Sequence, residues 1–276
     1  MLQLKLLNNE WRYLSRQPLL WLALLLLPVT AYIFATGIGG IETLVDKRLQ
    51  ALQMTLLMFS LPLLCGALAP LVLLRDQHHN MTELILATPL SPAQRLFSRL
   101  ALLFVLCAAL TLAGFMIIWF MLGREFGFQV TLLVISVWDF ALLAVPACAF
   151  YTALAGCLAQ RFSSSVLLYT LFCCLWLGYL ILASLTGAPM LAGSTINNAS
   201  LFNAMRLLDP FGNTALIALY QHSAPQLYGD LSFYLNRLLF CLLTGALFFI
   251  TLRLKPHCRA VKPWHSEMHH TINPPP

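Results

Sequence analysis

The run ALQMTLLMFSLPLLCGALAPLVLL, from Ala51 to Leu74, contains no charged residue and is long enough to cross a membrane as one helix. A bilayer core requires roughly 20 consecutive apolar residues in this conformation. Similar runs occur before and after it, so the sequence predicts an all-α polytopic bundle of six transmembrane helices. The predicted spans are Leu19–Thr36, Ala51–Leu74, Leu100–Leu122, Val130–Ala159, Val166–Gly187 and a last one at 233–252, built around the run Leu238–Leu252.

The composition of the whole chain supports a membrane protein. Its 276 residues are 60% hydrophobic and only 9% charged, and the mean hydropathy is +0.80. Soluble domains carry about 25% charged residues. The longest polar-rich stretch, at 188–236, is too short for an independent catalytic domain, so residues 1–252 are predicted to form one membrane domain. Residues 253–276 contain basic, His and Pro residues and are predicted to be a disordered cytosolic tail.

The distribution of Lys and Arg predicts the orientation in the membrane. In the predicted loops and termini, 11 basic residues fall on one side and five on the other. Cytosolic loops carry the excess of Lys and Arg, so both termini are predicted to be cytosolic. The net charge of +6 then reflects topology. Because the basic residues are scattered along loop ends, nucleic acid is not expected as a partner.

The polar segment RDQHHNMTELILATPLSPAQRLFSR, from Arg75 to Arg99, joins the second and third predicted spans. Its first part predicts a short cytosolic helix that begins at His79 or Asn80. Three apolar residues of this helix share one face at spacings of three and four residues. They are Met81, Leu84 and Ile85. The segment therefore offers an apolar edge to the cytosol.

The second part of this segment predicts a separate helix. Pro89 ends the first helix, because the residue before a proline avoids the α conformation. Ser91, Pro92 and Gln94 form a new start signal, a capping box with proline at the first helical position. This second helix is predicted to continue into the third span. From the residues alone, the first helix is equally well interpreted as an ordinary interfacial loop helix.

Two other features concern how helices pack. Residues 1–17 predict an amphipathic helix lying in the headgroup plane, or simply a positively charged anchor before the first span. Small residues repeat every four positions in the fourth span in two rows, one at Ala149, Ala153 and Cys157 and one at Cys148, Thr152 and Gly156. Such rows let helices approach closely. They are expected to pack within the chain, the alternative being a second membrane subunit.

Few residues indicate chemistry of their own. The chain has no GxxxxGK[ST] phosphate-binding loop, no HExxH and no GxSxG, so it is not expected to be an enzyme or to hold a cofactor or metal. Asp139 is the one carboxylate well inside an apolar run, and it is expected near a membrane interface or, alternatively, on a transport path. Four aromatic residues are expected mostly to face lipid, with a transport path as the alternative: Trp138, Tyr151, Trp176 and Tyr179.

The polar segment also carries a family resemblance. The pattern RDxxxxMxELIxATPLSPxQRLxSR resembles the first cytosolic loop of ABC-2 type transporter permeases. EWRYLSRQP (Glu10–Pro18) is similar to the N-terminal interfacial helix of that family. LLDPFGNTAL (Leu207–Leu216) and NRLLF (Asn236–Phe240) resemble its outer-loop and last-span motifs. The four motifs occur in the expected order on a six-span hydropathy pattern.

The resemblance implies a permease that is driven by a separate cytosolic ABC ATPase subunit, which would hold ATP and Mg²⁺. A second copy or a homologous permease would be the other membrane partner, in a bacterial inner membrane. The coupling helix of the family corresponds to residues Asn80–Thr88 of this sequence. The residues expected to contact the ATPase are Met81, Glu83, Leu84, Ile85, Thr88 and Pro89. The alternatives are a proton-coupled carrier and a non-transporting membrane regulator or assembly protein.

Overall fold

The fold was analysed in a computed structural model. It describes residues 11–12, 15–18, 20–22, 24–26, 29–30, 45–75, 91–162, 164–185, 199–212, 214 and 231–254. Within these ranges the chain forms helices and no strand. The helices are α1 (Val45–Leu73), α2 (Pro92–Phe126), α3 (Val130–Asp139), a π-helical segment (Phe140–Ala144), α4 (Val145–Arg161), α5 (Ser165–Leu185), α6 (Ala199–Leu208) and α7 (Leu231–Arg253).

The predicted all-α membrane fold is confirmed, and five stretches are long and apolar enough to cross a bilayer. They are Leu49–Leu73, Ala93–Phe126, Val130–Arg161, Ser165–Leu182 and Leu231–Arg253. These correspond to predicted spans two to six. The first predicted span lies largely outside the described residues, although every described position between 18 and 30 is helical. The count of six therefore stays a prediction, as does the interfacial helix at residues 1–17.

Helix α2 begins where the sequence predicts. The Ser91 side chain accepts a hydrogen bond from the Gln94 backbone, and the Gln94 side chain accepts one from the Ser91 backbone. With Pro92 at the first position, this capping box fixes the start of the helix. The helix then runs without interruption for 35 residues to Phe126. At 1.5 Å per residue it is about 52 Å long, which exceeds the bilayer core of about 30 Å.

A wide turn interrupts the fourth predicted span. The backbone N–H of Val145 donates to the carbonyl oxygen of Phe140, five residues earlier, which defines the π-helical segment. Pro146 follows immediately. In an α-helix its ring would clash with the carbonyl four residues before it, and it has no N–H to donate. The wider turn accommodates this proline, so α3 and α4 form one span with a change of helix type in the middle.

The core of the bundle is built around α1. In α1, 67% of the most apolar stretch is buried inside the bundle. The corresponding fractions are 17% in α5 and 22% in α7. Gly66 makes part of this packing possible, because a Cβ atom there would lie 2.7 Å from the Cβ of Phe172 on α5. Helices α5 and α7 therefore lie at the periphery and expose most of their apolar side chains.

One of the two rows of small residues on α4 is fully buried inside the chain, as expected, whereas Ala149 and Cys157 of the other row are only partly buried. Cys148, Thr152 and Gly156 are all buried. A Cβ atom on Gly156 would lie 2.7 Å from Leu100 on α2 and 3.4 Å from Thr251 on α7. The small row thus lets α4 sit closely between α2 and α7.

Two buried polar sites in the membrane bundle

The residues predicted to contact an ATPase cannot be placed. Met81, Glu83, Leu84, Ile85, Thr88 and Pro89 lie outside the described residues, so the coupling helix stays a prediction. His78, His79 and the C-terminal histidines also lie outside the described residues. In the part of the chain that the structure describes, no group of three or more His, Cys, Asp or Glu side chains could hold a metal ion. The notable polar chemistry of the described chain lies within the bundle.

The first polar site joins α1 to α3 and consists of Gln50, Gln53, Ser136 and Asp139; we call it the α1–α3 polar junction. The Gln50 amide nitrogen donates to Asp139 Oδ1 over 3.1 Å, and the Gln53 amide nitrogen donates to Ser136 Oγ over 2.9 Å. All four side chains are at most 3% exposed. Hydrogen bonds between polar side chains add to helix association where water is scarce, so the junction fastens α3 to α1.

The structure gives Asp139 a contact that neither sequence interpretation included, and both interpretations stay predictions. Gln50 comes five residues after Val45, so the junction lies about 8 Å from the start of α1, near one end of the bundle. This depth agrees with a position near the membrane boundary. The Asp139 side chain, however, is fully buried. Its carboxylate therefore faces a neighbouring helix, α1.

The second polar site is the turn after α6, where Asp209 begins the sequence DPFG; together with Asn236, Arg237 and Tyr179 we call it the α6–α7 turn site. The Asp209 carboxylate is fully buried. Its Oδ1 accepts from the Phe211 N–H (2.9 Å) and the Tyr179 hydroxyl (3.2 Å). Its Oδ2 accepts from the N–H (2.8 Å) and the hydroxyl (3.0 Å) of Thr214. Four donors satisfy this carboxylate.

The backbone of the same turn is fixed by α7. The Asn236 amide nitrogen donates to the carbonyl oxygens of Leu207 (2.8 Å) and Asp209 (3.0 Å). Arg237 Nη2 also donates to the Asp209 carbonyl, over 3.2 Å. Gly212 follows with φ +74°, and a Cβ atom there would lie 2.5 Å from Arg237 Nη2. Glycine is thus required by the backbone conformation and by the close approach of the arginine.

Phe211, at the tip of the turn, connects the site to the bundle core. Its ring is stacked on Tyr151 of α4, with centroids 5.5 Å apart, and meets Tyr179 of α5 edge-on at 4.8 Å. Phe211, Tyr151 and Tyr179 are all buried. The expectation that these two tyrosines face lipid is therefore wrong. For Trp138, which is 53% exposed, the structure agrees with the expectation of a lipid-facing side chain.

Two elements of these sites escaped the sequence analysis. Helix α6 was not predicted, although its Leu201 and Met205 lie four residues apart on the buried side, a helical spacing that could have indicated it. Gln50 and Gln53 were not identified from the sequence. Their spacing of three residues places both on one face of a helix, which is the signal that could have identified them.

The long apolar helices, with polar side chains paired between them, define a multi-pass helical membrane protein. Residues 6–177 match the family model described as ABC-2 family transporter protein. The chain belongs to this family, and it is a membrane component, a permease, of an ABC transporter. No curated protein matches the chain. The family match includes the α1–α3 polar junction and ends before the α6–α7 turn.

Proposed function

We propose that this chain is the permease subunit that moves a substrate across the bacterial inner membrane, driven by a separate cytosolic ATPase subunit that binds ATP and Mg²⁺. The observation that carries the proposal is the family match over residues 6–177, which includes the segment from Arg75 to Arg99. In this proposal both termini are cytosolic, and residues Asn80–Thr88 form the helix that docks on the ATPase. A second permease copy or a homologous permease completes the membrane part.

The rigid start of α2 supports this mechanism. The capping box at Ser91 follows Thr88 by three residues, so a displacement of the coupling helix would act directly on the first turn of α2. The same end of α2 contacts two other helices. Phe97 meets Phe248 of α7 edge-on at 6.1 Å, and Leu100 packs on Gly156 of α4. A push on α2 would therefore move α4 and α7 with it, as rigid packed helices do in shear motions.

The peripheral helices support the proposed environment. α5 and α7 expose many large apolar side chains, such as Val166, Ile181 and Leu242. Lipid tails would cover part of this surface, and the second permease would cover another part. Transport then requires that the paired bundles have two arrangements and that ATP binding to the partner shifts the balance between them.

The test is purification of the tagged chain from membranes of its own host. We expect a P-loop ATPase to co-purify and to hydrolyse ATP. Leu84→Arg is expected to reduce both the amount of bound ATPase and its stimulated activity at least tenfold, because a charge would replace an apolar contact. Ala93→Arg is the matched control, since it adds the same side chain at an exposed position on the first turn of α2 and should leave both quantities unchanged.

Two outcomes would contradict the proposal. If no P-loop ATPase accompanies the wild-type chain, the transporter function is wrong. If Leu84→Arg leaves both association and ATPase stimulation intact, the assigned coupling helix is wrong, while the permease itself remains supported by the co-purified ATPase.

A further inference from the structure

Arg237 has two N–H groups that no acceptor uses in the part of the chain that the structure describes. A guanidinium carries five N–H donors in a fixed plane. Nε donates to Asn236 Oδ1 over 2.9 Å, and Nη2 donates to Asn236 Oδ1 and to the Asp209 carbonyl oxygen. These bonds account for the one N–H of Nε and the two of Nη2. Nη1 is buried and has no hydrogen-bond partner within the described chain.

The charge of Arg237 is also not matched by a direct ion pair among the described residues. The Asp209 carboxylate belongs to the same site, but its two oxygens accept from Tyr179, Phe211 and Thr214. From Asp209, the arginine receives only the backbone carbonyl oxygen as an acceptor. Arg237 is 7% exposed, and a buried charge without a directly bonded counter-ion is costly in a membrane. An anionic oxygen at Nη1 would remove this cost.

The surroundings hold the guanidinium in a fixed orientation. The Gly212 backbone lies against one edge of it, close enough that a Cβ atom would be 2.5 Å from Nη2. The Phe233 and Phe240 rings lie 5.7 Å and 5.9 Å from Cζ. A donor that is already oriented loses little entropy when it binds an anion. Arginine in this state is suited to phosphate and carboxylate, which accept its parallel N–H groups.

The local field around the start of α7 favours negative charge. Arg237 lies six residues after Leu231, about 9 Å along the helix. Arg206 donates from Nη2 to Ser232 Oγ over 2.8 Å, which places a second guanidinium beside the first turn of α7. The N-terminus of the helix adds a partial positive charge. Two arginines and the N-terminus of α7 therefore lie near the same end of this candidate membrane span.

We propose that Nη1 of Arg237 binds the anionic oxygen group, a phosphate or a carboxylate, of a ligand that enters the bundle beside the α6–α7 turn. Because Nη1 is buried, binding requires the turn to move away from α7, so the ligand stabilises an opened arrangement of the site. The anion is either the phosphate of a lipid headgroup or a soluble anion. This proposal does not depend on the partner ATPase.

The test uses the full chain in nanodiscs and two probes. The first probe is phosphatidylglycerol in nanodiscs that otherwise contain phosphatidylcholine; the second is inorganic phosphate added to nanodiscs of phosphatidylcholine alone. Binding is measured by native mass spectrometry for the lipid and by the shift in unfolding temperature for phosphate. A response to phosphatidylglycerol alone identifies the lipid source, and a response to phosphate identifies a soluble anion; either supports the proposal.

Variants tie the response to the guanidinium. Arg237→Gln is expected to weaken binding about tenfold or more, because a hydrogen bond to a charged group is lost. Arg253→Gln is the matched control: it removes an exposed arginine at the other end of the same helix and should bind like wild type. The proposal fails if the wild type responds to neither probe, or if Arg237→Gln binds as tightly as wild type.

A conservative variant covers the case in which Arg237→Gln does not fold. Arg237→Lys keeps the positive charge but loses the planar pair of donors. We expect it to bind several-fold more weakly than wild type while its unfolding temperature shows a folded protein. If Arg237→Lys keeps the full wild-type affinity, Nη1 is not the contact and the proposal is overturned.

Discussion

Two aspartates, Asp139 and Asp209, are fully buried in this bundle, and they are held in different ways. Asp209 accepts four hydrogen bonds, and three of them come from residues at most five positions away. Asp139 accepts from Gln50, which is 89 positions away. Asp209 therefore builds its own turn, whereas Asp139 joins two helices that form independently of it.

Asp209 thus stabilises local structure, whereas Asp139 stabilises a tertiary contact between two helices. Loss of the Asp209 carboxylate would leave backbone N–H groups of the turn without an acceptor, and buried backbone groups must be satisfied. At the α1–α3 polar junction the Gln50–Asp139 and Gln53–Ser136 hydrogen bonds join side chain to side chain, and the helices keep their own backbone hydrogen bonds. The junction can therefore open without loss of secondary structure, whereas loss of the Asp209 carboxylate would disrupt the turn itself.

Replacement of Asp209 by alanine should give the largest effect. The N–H groups of Phe211 and Thr214 would lose their acceptor in a buried site, and we expect a loss of about 3–5 kcal/mol in unfolding free energy. Chemical unfolding in detergent measures it. Asp209→Asn, which keeps one acceptor oxygen, should lose less. An alanine variant as stable as wild type would remove the distinction between the two sites.

Gly212→Ala should have the next largest effect on the unfolding free energy. The backbone there has φ +74°, and the added methyl group would meet Arg237 Nη2 at 2.5 Å. We expect a loss of about 1–3 kcal/mol from backbone strain and overpacking. Gly178→Ala is the control, because no heavy atom lies within 4 Å of its added Cβ, and it should be neutral or slightly stabilising. Equal effects of the two substitutions would contradict a tightly packed turn.

The α1–α3 polar junction is tested by a double-mutant cycle with Gln50→Leu and Asp139→Leu. The coupling energy between the two positions should be about 1 kcal/mol, since side-chain hydrogen bonds between membrane helices contribute modestly. The circular dichroism spectrum should keep its wild-type helix content. A coupling near zero would show that the Gln50–Asp139 hydrogen bond does not fasten the helices.

Tyr179→Phe should give the smallest effect. It removes one of the four donors to Asp209 and keeps the ring against Phe211, so a loss of about 0.5–1.5 kcal/mol is expected. Tyr234→Phe, at a position that is 50% exposed, should change the stability by less. If Tyr179→Phe destabilised the protein as much as Asp209→Ala, the local backbone bonds would not be the main contribution of the carboxylate.

The sequence was most informative where the signal is local. The capped start of α2 follows from Ser91, Pro92 and Gln94, which are neighbours in the chain, and the structure confirms it. The apolar spans follow from composition in the same way. The DPFG turn and the Asn236–Arg237 pair were recognised as family motifs, but the contact between them was not predicted. The coupling helix at Asn80–Thr88 remains a prediction.

A single sequence does not show which distant residues are in contact in the folded protein. Nothing in the run around Gln50 and Gln53 indicates that their partners are Ser136 and Asp139, because the pairing depends on how α1 and α3 are rotated about their axes. The burial of Tyr151 and Tyr179 was missed for the same reason: Phe211 reaches them from a distant turn. The wide turn before Pro146 was not predicted either, although a proline in mid-span is a local signal that could have indicated it.

That wide turn makes the length of the span adjustable by one residue. An α-helix rotates about 100° per residue, and the segment Phe140–Ala144 spreads about the same rotation over one residue more. Deletion of a single apolar residue there would convert the wide turn into an ordinary α-turn and would leave Ser136 and Asp139 facing the two glutamines. A second deletion would turn them by about 100° relative to α4. Aligned relatives that keep the junction should therefore carry a gap of at most one residue between Asp139 and Pro146.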